Sequence, residues 1–89
     1  MTGMVVQIKV KDFAEWEKVF NASSGLRKSN GELSHQIFHD KGDPNKLAIL
    51  YQWDSLENGQ KFFQSPELKA AQQQAGVEGP PNVYTPLGE

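Results

Sequence analysis

The sequence predicts an α+β fold of order β-α-β-β-α-β, with two helices on one face of a four-stranded antiparallel sheet. Three observations predict it. Apolar residues alternate with period two in three separate runs, Met4–Val10, Leu33–His39 and Leu47–Trp53. Two stretches with helical spacing, opened by Asp12 and by Asp54, separate these runs from one another and from the last strand. The second and third runs are joined only by the turn cluster Asp40-Lys41-Gly42-Asp43-Pro44-Asn45, which predicts an antiparallel hairpin.

In the first run Val6, Ile8 and Val10 alternate with Val5, Gln7 and Lys9, and the β-branched residues favour a strand. Asp12-Phe13-Ala14-Glu15 fits a capping box, and Phe13, Trp16 and Phe20 follow at helical spacing. This helix is expected from about Phe13 to Ser29, stopped by Asn30-Gly31. Its charged residues Glu15, Glu17, Lys18, Arg27 and Lys28 read as a solvated face and last turn, with binding of a carboxylate as the alternative for Arg27, to which nothing specific in the sequence points. After the hairpin, Asp54 with Glu57 starts a second helix whose apolar side carries Leu56, Phe62 and Phe63. Gly59 weakens that helix and is expected where elements pack closely. Ser65-Pro66-Glu67 restarts it, with a cap, a proline at the first helical position and an acid in the first turn. Gly76 is a natural stop, and Val83-Tyr84-Thr85 is expected as a short last strand, at an edge or exchanged with a partner.

With 89 residues, one domain spanning residues 1–89 is expected. A net charge of −2 without a basic run argues against nucleic acid as a partner. No apolar run approaches the length of a membrane span and no leader pattern is visible, so the cytoplasm is the default location. The absence of cysteine removes disulfides, thiol catalysis and cysteine-held metals. Strand three carries Leu47, Ile49, Tyr51 and Trp53 on one side but also Ala48 and Leu50 on the other. Two helices cover one sheet face only, so the second face calls for a partner, most simply another copy of the chain about a two-fold axis.

The stretch Gln52-Trp53-Asp54-Ser55-Leu56-Glu57, then Phe62-Phe63, then Ser65-Pro66-Glu67-Leu68-Lys69, resembles the dimeric α/β-barrel superfamily, and within it antibiotic-biosynthesis-monooxygenase-like domains. The resemblance covers nearly the whole chain in element order, with residue matches mainly from Tyr51 to Ala71. It implies a ferredoxin-like protomer, a homodimer formed through the sheet face, and a pocket between sheet and helices for a small hydrophobic or aromatic ligand. It also implies activities ranging from cofactor-free oxygenation to isomerisation to none, so fold follows more directly than function.

Trp53 matches a tryptophan that lies against the ligand in some relatives, and Tyr51 shares its face by strand parity. Both would stack on or orient a flat substrate; the competing reading makes them core or interface aromatics. His35 and His39 are the only histidines. Four residues apart on a straight strand they lie roughly 13 Å apart, too far to share a metal. His35, in mid-strand, is the candidate general base, and no metal is expected. Gln7 would be a polar handle inside a barrel, whereas Lys9 reads as solvated. Haem-degrading relatives carry an iron-ligating histidine where this chain has Gln72, which is no useful haem ligand. This argues against haem degradation; Gln72 is a candidate substrate contact, and no cofactor is expected. Three readings stay open: a cofactor-independent monooxygenase-like enzyme on a small aromatic or polyketide-like substrate, a non-catalytic ligand-binding or structural barrel, and an isomerase or cyclase without oxygen chemistry.

Overall fold

A computed structural model describes residues 2–87. The elements follow in the order β1 (Thr2–Val10), α1 (Phe13–Ala22), α2 (Ser24–Ser29), β2 (Glu32–Asp40), β3 (Asp43–Trp53), α3 (Leu56–Phe63), α4 (Pro66–Ala75) and β4 (Val77–Tyr84). The strands form one sheet of order β2-β3-β1-β4, with every neighbouring pair antiparallel. This is the ferredoxin-like α+β arrangement. Among the described residues no helix is long and apolar enough to cross a membrane.

Alternation along the strands sorts the sheet into two faces. Met4, Val6 and Ile8 of β1 stand opposite Tyr51, Ile49 and Leu47 of β3 and face the helices. There they pack with Trp16 and Phe20 of α1, Phe62 of α3 and Ala75 of α4 into the core. Val5, Gln7 and Lys9 pair with Leu50, Ala48 and Lys46 on the other face, which no helix covers. That face also presents Phe38 and Tyr84, 45% and 52% exposed.

Asp12 caps α1 as its spacing predicts, its carboxylate accepting from the Glu15 amide at 3.3 Å. Asn45 of β3 adds to this start, accepting from the Phe13 amide at 2.9 Å. The expected single helix from Phe13 to Ser29 is instead two. The Ser23 hydroxyl donates to the Val19 carbonyl at 2.9 Å, competing with the backbone ladder, and Gly25 follows in the first turn of α2. The break turns Arg27 inward, so the solvated reading of it is wrong and the alternative, a carboxylate partner, holds.

The hairpin turn is shorter than its composition suggests. The Asp40 carboxylate accepts from the Gly42 amide at 2.9 Å, and the chain reverses over Lys41-Gly42. Asp43, Pro44 and Asn45 then belong to β3. Ser55, not Asp54, caps α3, its hydroxyl accepting from the Asn58 amide at 3.1 Å. Asp54 accepts instead from the Asn58 side-chain amide at 2.8 Å. Ser65 caps α4 with Pro66 at its first position, and Gly76 ends it in the left-handed conformation at φ 78°. Gly59 is the close approach: a Cβ there would lie 2.5 Å from Met4 Sδ and 3.1 Å from the Trp53 ring.

The last strand is longer than Val83–Thr85 and starts at Val77, because Gly79-Pro80-Pro81 lies within it rather than before it. It occupies an edge, as expected. Its pairing with β1 shifts register between Gln7 and Lys9, opposite the prolines, which have no N–H to give.

Candidate functional site

A cavity lies between the sheet and the helices. Ile8, Ile49 and Tyr51 line it from the sheet, Phe20, Leu26 and Arg27 from α1 and α2, and Phe63, Leu68 and Gln72 from α3 and α4. The lining is overwhelmingly apolar, so the few polar groups decide what it can orient. The space in which a water molecule's centre fits is about 50 Å³. At roughly 10–15 Å³ for each such water, that admits a few waters, on the order of one aromatic ring.

Tyr51 contributes the phenol at the sheet side of this cavity. It is a direct cross-strand neighbour of His35 and of Met4, and its ring touches Phe20, Trp53 and Phe63 at centroid distances of 6.5, 5.8 and 5.3 Å. Burial pushes the Tyr51 phenol far above its ordinary value of 10.0; the Arg27 charge pulls the other way and Glu32 adds to the rise. The group therefore stays a neutral hydrogen-bond donor through the whole physiological range. Folding favours the neutral phenol, so its contribution is complete below about pH 10 and declines as pH rises beyond that. Tyr51→Phe is expected to flatten this alkaline decline, seen as a smaller loss of urea midpoint between pH 9 and pH 11 than in the parent. An unchanged slope would refute the assignment.

Arg27 and Glu32, on either side of the helix stop at Asn30-Gly31, form an ion pair. Arg27 Nε donates to Glu32 Oε2 at 2.8 Å, and the two side chains are 3% and 2% exposed. The guanidinium also donates through Nη1 to the Phe20 carbonyl and lies 3.6 Å from the centroid of the Phe20 ring. Hydrogen bonds, opposite charge and the aromatic face together compensate a burial that would otherwise cost several kcal/mol per ion, by order of magnitude. The second Glu32 oxygen, Oε1, faces His35 Nδ1 at 3.4 Å.

The residues singled out from the sequence do not all converge on this cavity. Tyr51 and Gln72 line the cavity. His35 does not, but its ring stands edge-on to Phe20, which does, with centroids 4.9 Å apart. Its side chain is 33% exposed. Trp53 shares the face of Tyr51 but is 0% exposed beneath α3, against Phe62 and Phe63, and is not part of the lining. Its indole Nε1 has no hydrogen-bond partner among the described residues. Gln7 lies on the opposite sheet face, away from Tyr51, where the Tyr84 hydroxyl donates to it at 3.5 Å. A polar depression there also includes Lys9, Lys46 and Asn82. His39 packs on Phe13 and its Nδ1 meets the Pro44 carbonyl at 2.9 Å. Among the described residues no group of three or more His, Cys, Asp or Glu is placed to hold a metal.

The fold has many counterparts among solved structures. A cofactor-independent oxygenase from Streptomyces nogalater, SnoaB, superimposes with a TM-score of 0.71 at 15% identity, over 99% of this chain and 94% of that one. A candidate antibiotic biosynthesis monooxygenase from Bordetella bronchiseptica gives 0.79 at 16% identity, over 99% and 96%. Another from Caulobacter crescentus CB15 gives 0.72 at 26% identity, over 94% and 85%. No curated protein matches the chain. The family description of antibiotic biosynthesis monooxygenases matches residues 1–74, most of the sequence, and the chain therefore belongs to the antibiotic biosynthesis monooxygenase family.

Proposed function

We propose that the protein is a cofactor-independent monooxygenase acting on a small phenolic compound of about one ring. The observation that carries this reading is the apolar cavity whose few polar lining residues include Tyr51, Arg27 and Gln72. The family and the Streptomyces oxygenase of the same fold support it. The ring of the substrate lies against Tyr51 and Phe63, and its hydroxyl points toward β2. His35, partly exposed behind Phe20 on the β2 side, takes the phenolic proton there through one intervening water. Tyr51 donates to the oxygen that becomes negative, and the Arg27 charge favours the same anion. The electron-rich ring carbon adds oxygen to give a hydroperoxide, which loses water to leave a carbonyl. In total one phenol and one O₂ give one quinone and one H₂O, so the substrate supplies all four electrons and no cofactor is required. The apolar walls exclude bulk water from the anion. Gln72 holds the far end of the substrate. Trp53 supports Tyr51 from within the core.

The test is oxygen uptake by the purified protein over a panel of phenols and hydroquinones, with no flavin or metal added. Stoichiometric uptake and quinone formation are expected, falling at least a hundredfold in His35→Ala. Conversion without oxygen uptake would indicate an isomerase or cyclase, and binding without conversion a ligand-binding barrel; either overturns the proposal.

The reading includes a homodimer. The uncovered sheet face carries Val5, Ala48, Leu50, Phe38 and Tyr84 between its polar residues, and a second copy of that face would bury them. Sedimentation equilibrium at micromolar concentration is expected to give twice the 10.0 kDa of the chain; a single-chain mass would refute the pairing.

A further inference from the structure

Glu32 takes no direct part in the proton transfer, yet its buried carboxylate meets both Arg27 and His35. It opens β2 directly after Gly31, and a register shift between Glu32 and Ser34 turns it toward the helices. Its two oxygens are divided. Oε2 accepts from Arg27 Nε at 2.8 Å, and Oε1 faces His35 Nδ1 at 3.4 Å. Arg27 is itself fixed by the Phe20 carbonyl and by the Phe20 ring. The same Phe20 ring meets His35 at 86°. One guanidinium thus anchors both the carboxylate and the aromatic ring that the imidazole meets. No hydrogen-bond partner for His35 Nε2 occurs among the described residues.

We infer that Glu32 is a positioning residue for His35, holding the imidazole with its proton on Nδ1 and leaving Nε2 as the atom that accepts the substrate's proton. An ionised carboxylate only accepts, so the neutral ring can satisfy Oε1 only as the Nδ1–H tautomer. This is the reverse of the tautomer a free histidine prefers in water. The charged groups facing the ring are Glu32 from its own strand and Arg27 from α2, with the neutral Tyr51 phenol beside it on β3. Because Glu32 is already paired with Arg27, its task is orientation rather than supply of a free charge. The inference rests on the reading of His35 as the base, but its first readout does not need activity.

The test is a long-range ¹H–¹⁵N correlation spectrum of the two imidazoles in the full-length protein at alkaline pH. His39 serves as an internal reference, because its Nδ1 meets the Pro44 carbonyl, also an acceptor, at 2.9 Å. Signals are assigned with His39→Ala. The pattern of a protonated Nδ1 and a bare Nε2 is expected for His35. In the double variant Arg27→Met/Glu32→Leu, which removes the acceptor without leaving a buried charge, that pattern is expected to revert to Nε2–H. The kcat of an identified substrate falls at least about tenfold there. A parent protein whose His35 is protonated at Nε2, or a double variant that keeps Nδ1–H, overturns the inference whatever the activity. If the spectra behave as expected but His35→Ala leaves turnover intact, the positioning stands and the reading of His35 as the base falls.

Discussion

Glu32→Ala is expected to cost about 3–5 kcal/mol, because it strands the Arg27 guanidinium inside the core without its carboxylate. A chain of this length has roughly 4–13 kcal/mol of stability in total. The variant should therefore unfold near room temperature or at low urea, while Arg27→Met/Glu32→Leu stays within about 1–2 kcal/mol of the parent. The contrast separates two meanings of a buried ion pair. Breaking it exposes the desolvation penalty of the remaining ion, whereas replacing both partners removes penalty and attraction together. Urea denaturation of the parent, the single and the double variant measures this. A single variant as stable as the double would mean that water reaches Arg27 freely.

Trp53 sets the other large effect. Trp53→Ala removes an indole from a site with no exposure, between Met4, Phe62, Phe63 and Tyr51, and should cost about 3–5 kcal/mol. Trp53→Phe is expected to cost clearly less than its lost volume suggests. The indole N–H it discards has no partner, and an unpaired buried donor costs about 1–3 kcal/mol. Gly59 faces the same ring so closely that its missing side chain makes room for the indole. Thermal or urea unfolding of both variants gives the two values. If Trp53→Phe is as damaging as Trp53→Ala, then the indole N–H has a partner in solution.

These two sites were unequally legible in the sequence. Trp53 and Tyr51 stand out because β3 alternates without interruption from Leu47 to Trp53, so parity places both on the helix side. The caps at Asp12 and Ser65 and the stop at Gly76 were equally plain, because each depends on one local hydrogen bond or one dihedral angle. Glu32 was hidden by the same parity rule. Counting back from His35 by alternation puts Glu32 on the uncovered face; the register shift before Ser34 reverses it and leaves Leu33 exposed instead. Arg27 was hidden because helical periodicity was continued through Ser23, where a side-chain hydroxyl ends α1. The signal available was an arginine and a glutamate flanking the helix stop at Asn30-Gly31, close enough to pair across a tight connection. The narrowness of the cavity depends on how all four helices settle on the sheet, and no local pattern encodes it.

The prolines of β4 bear on how the protein avoids clumping while it folds. A strand at the rim of a sheet is a template on which another chain can crystallise a fibril. Successive residues of such a strand direct their amides alternately inward and outward, so two prolines in a row delete a donor on each side. A stray strand therefore cannot zip along the Pro80-Pro81 rim. The opposite rim, β2, has no proline from Glu32 to Asp40 and keeps its outward amides. Self-templated growth, where it occurs, is directed to the β2 side, and the surveillance of unfolded chains has one rim to guard rather than two.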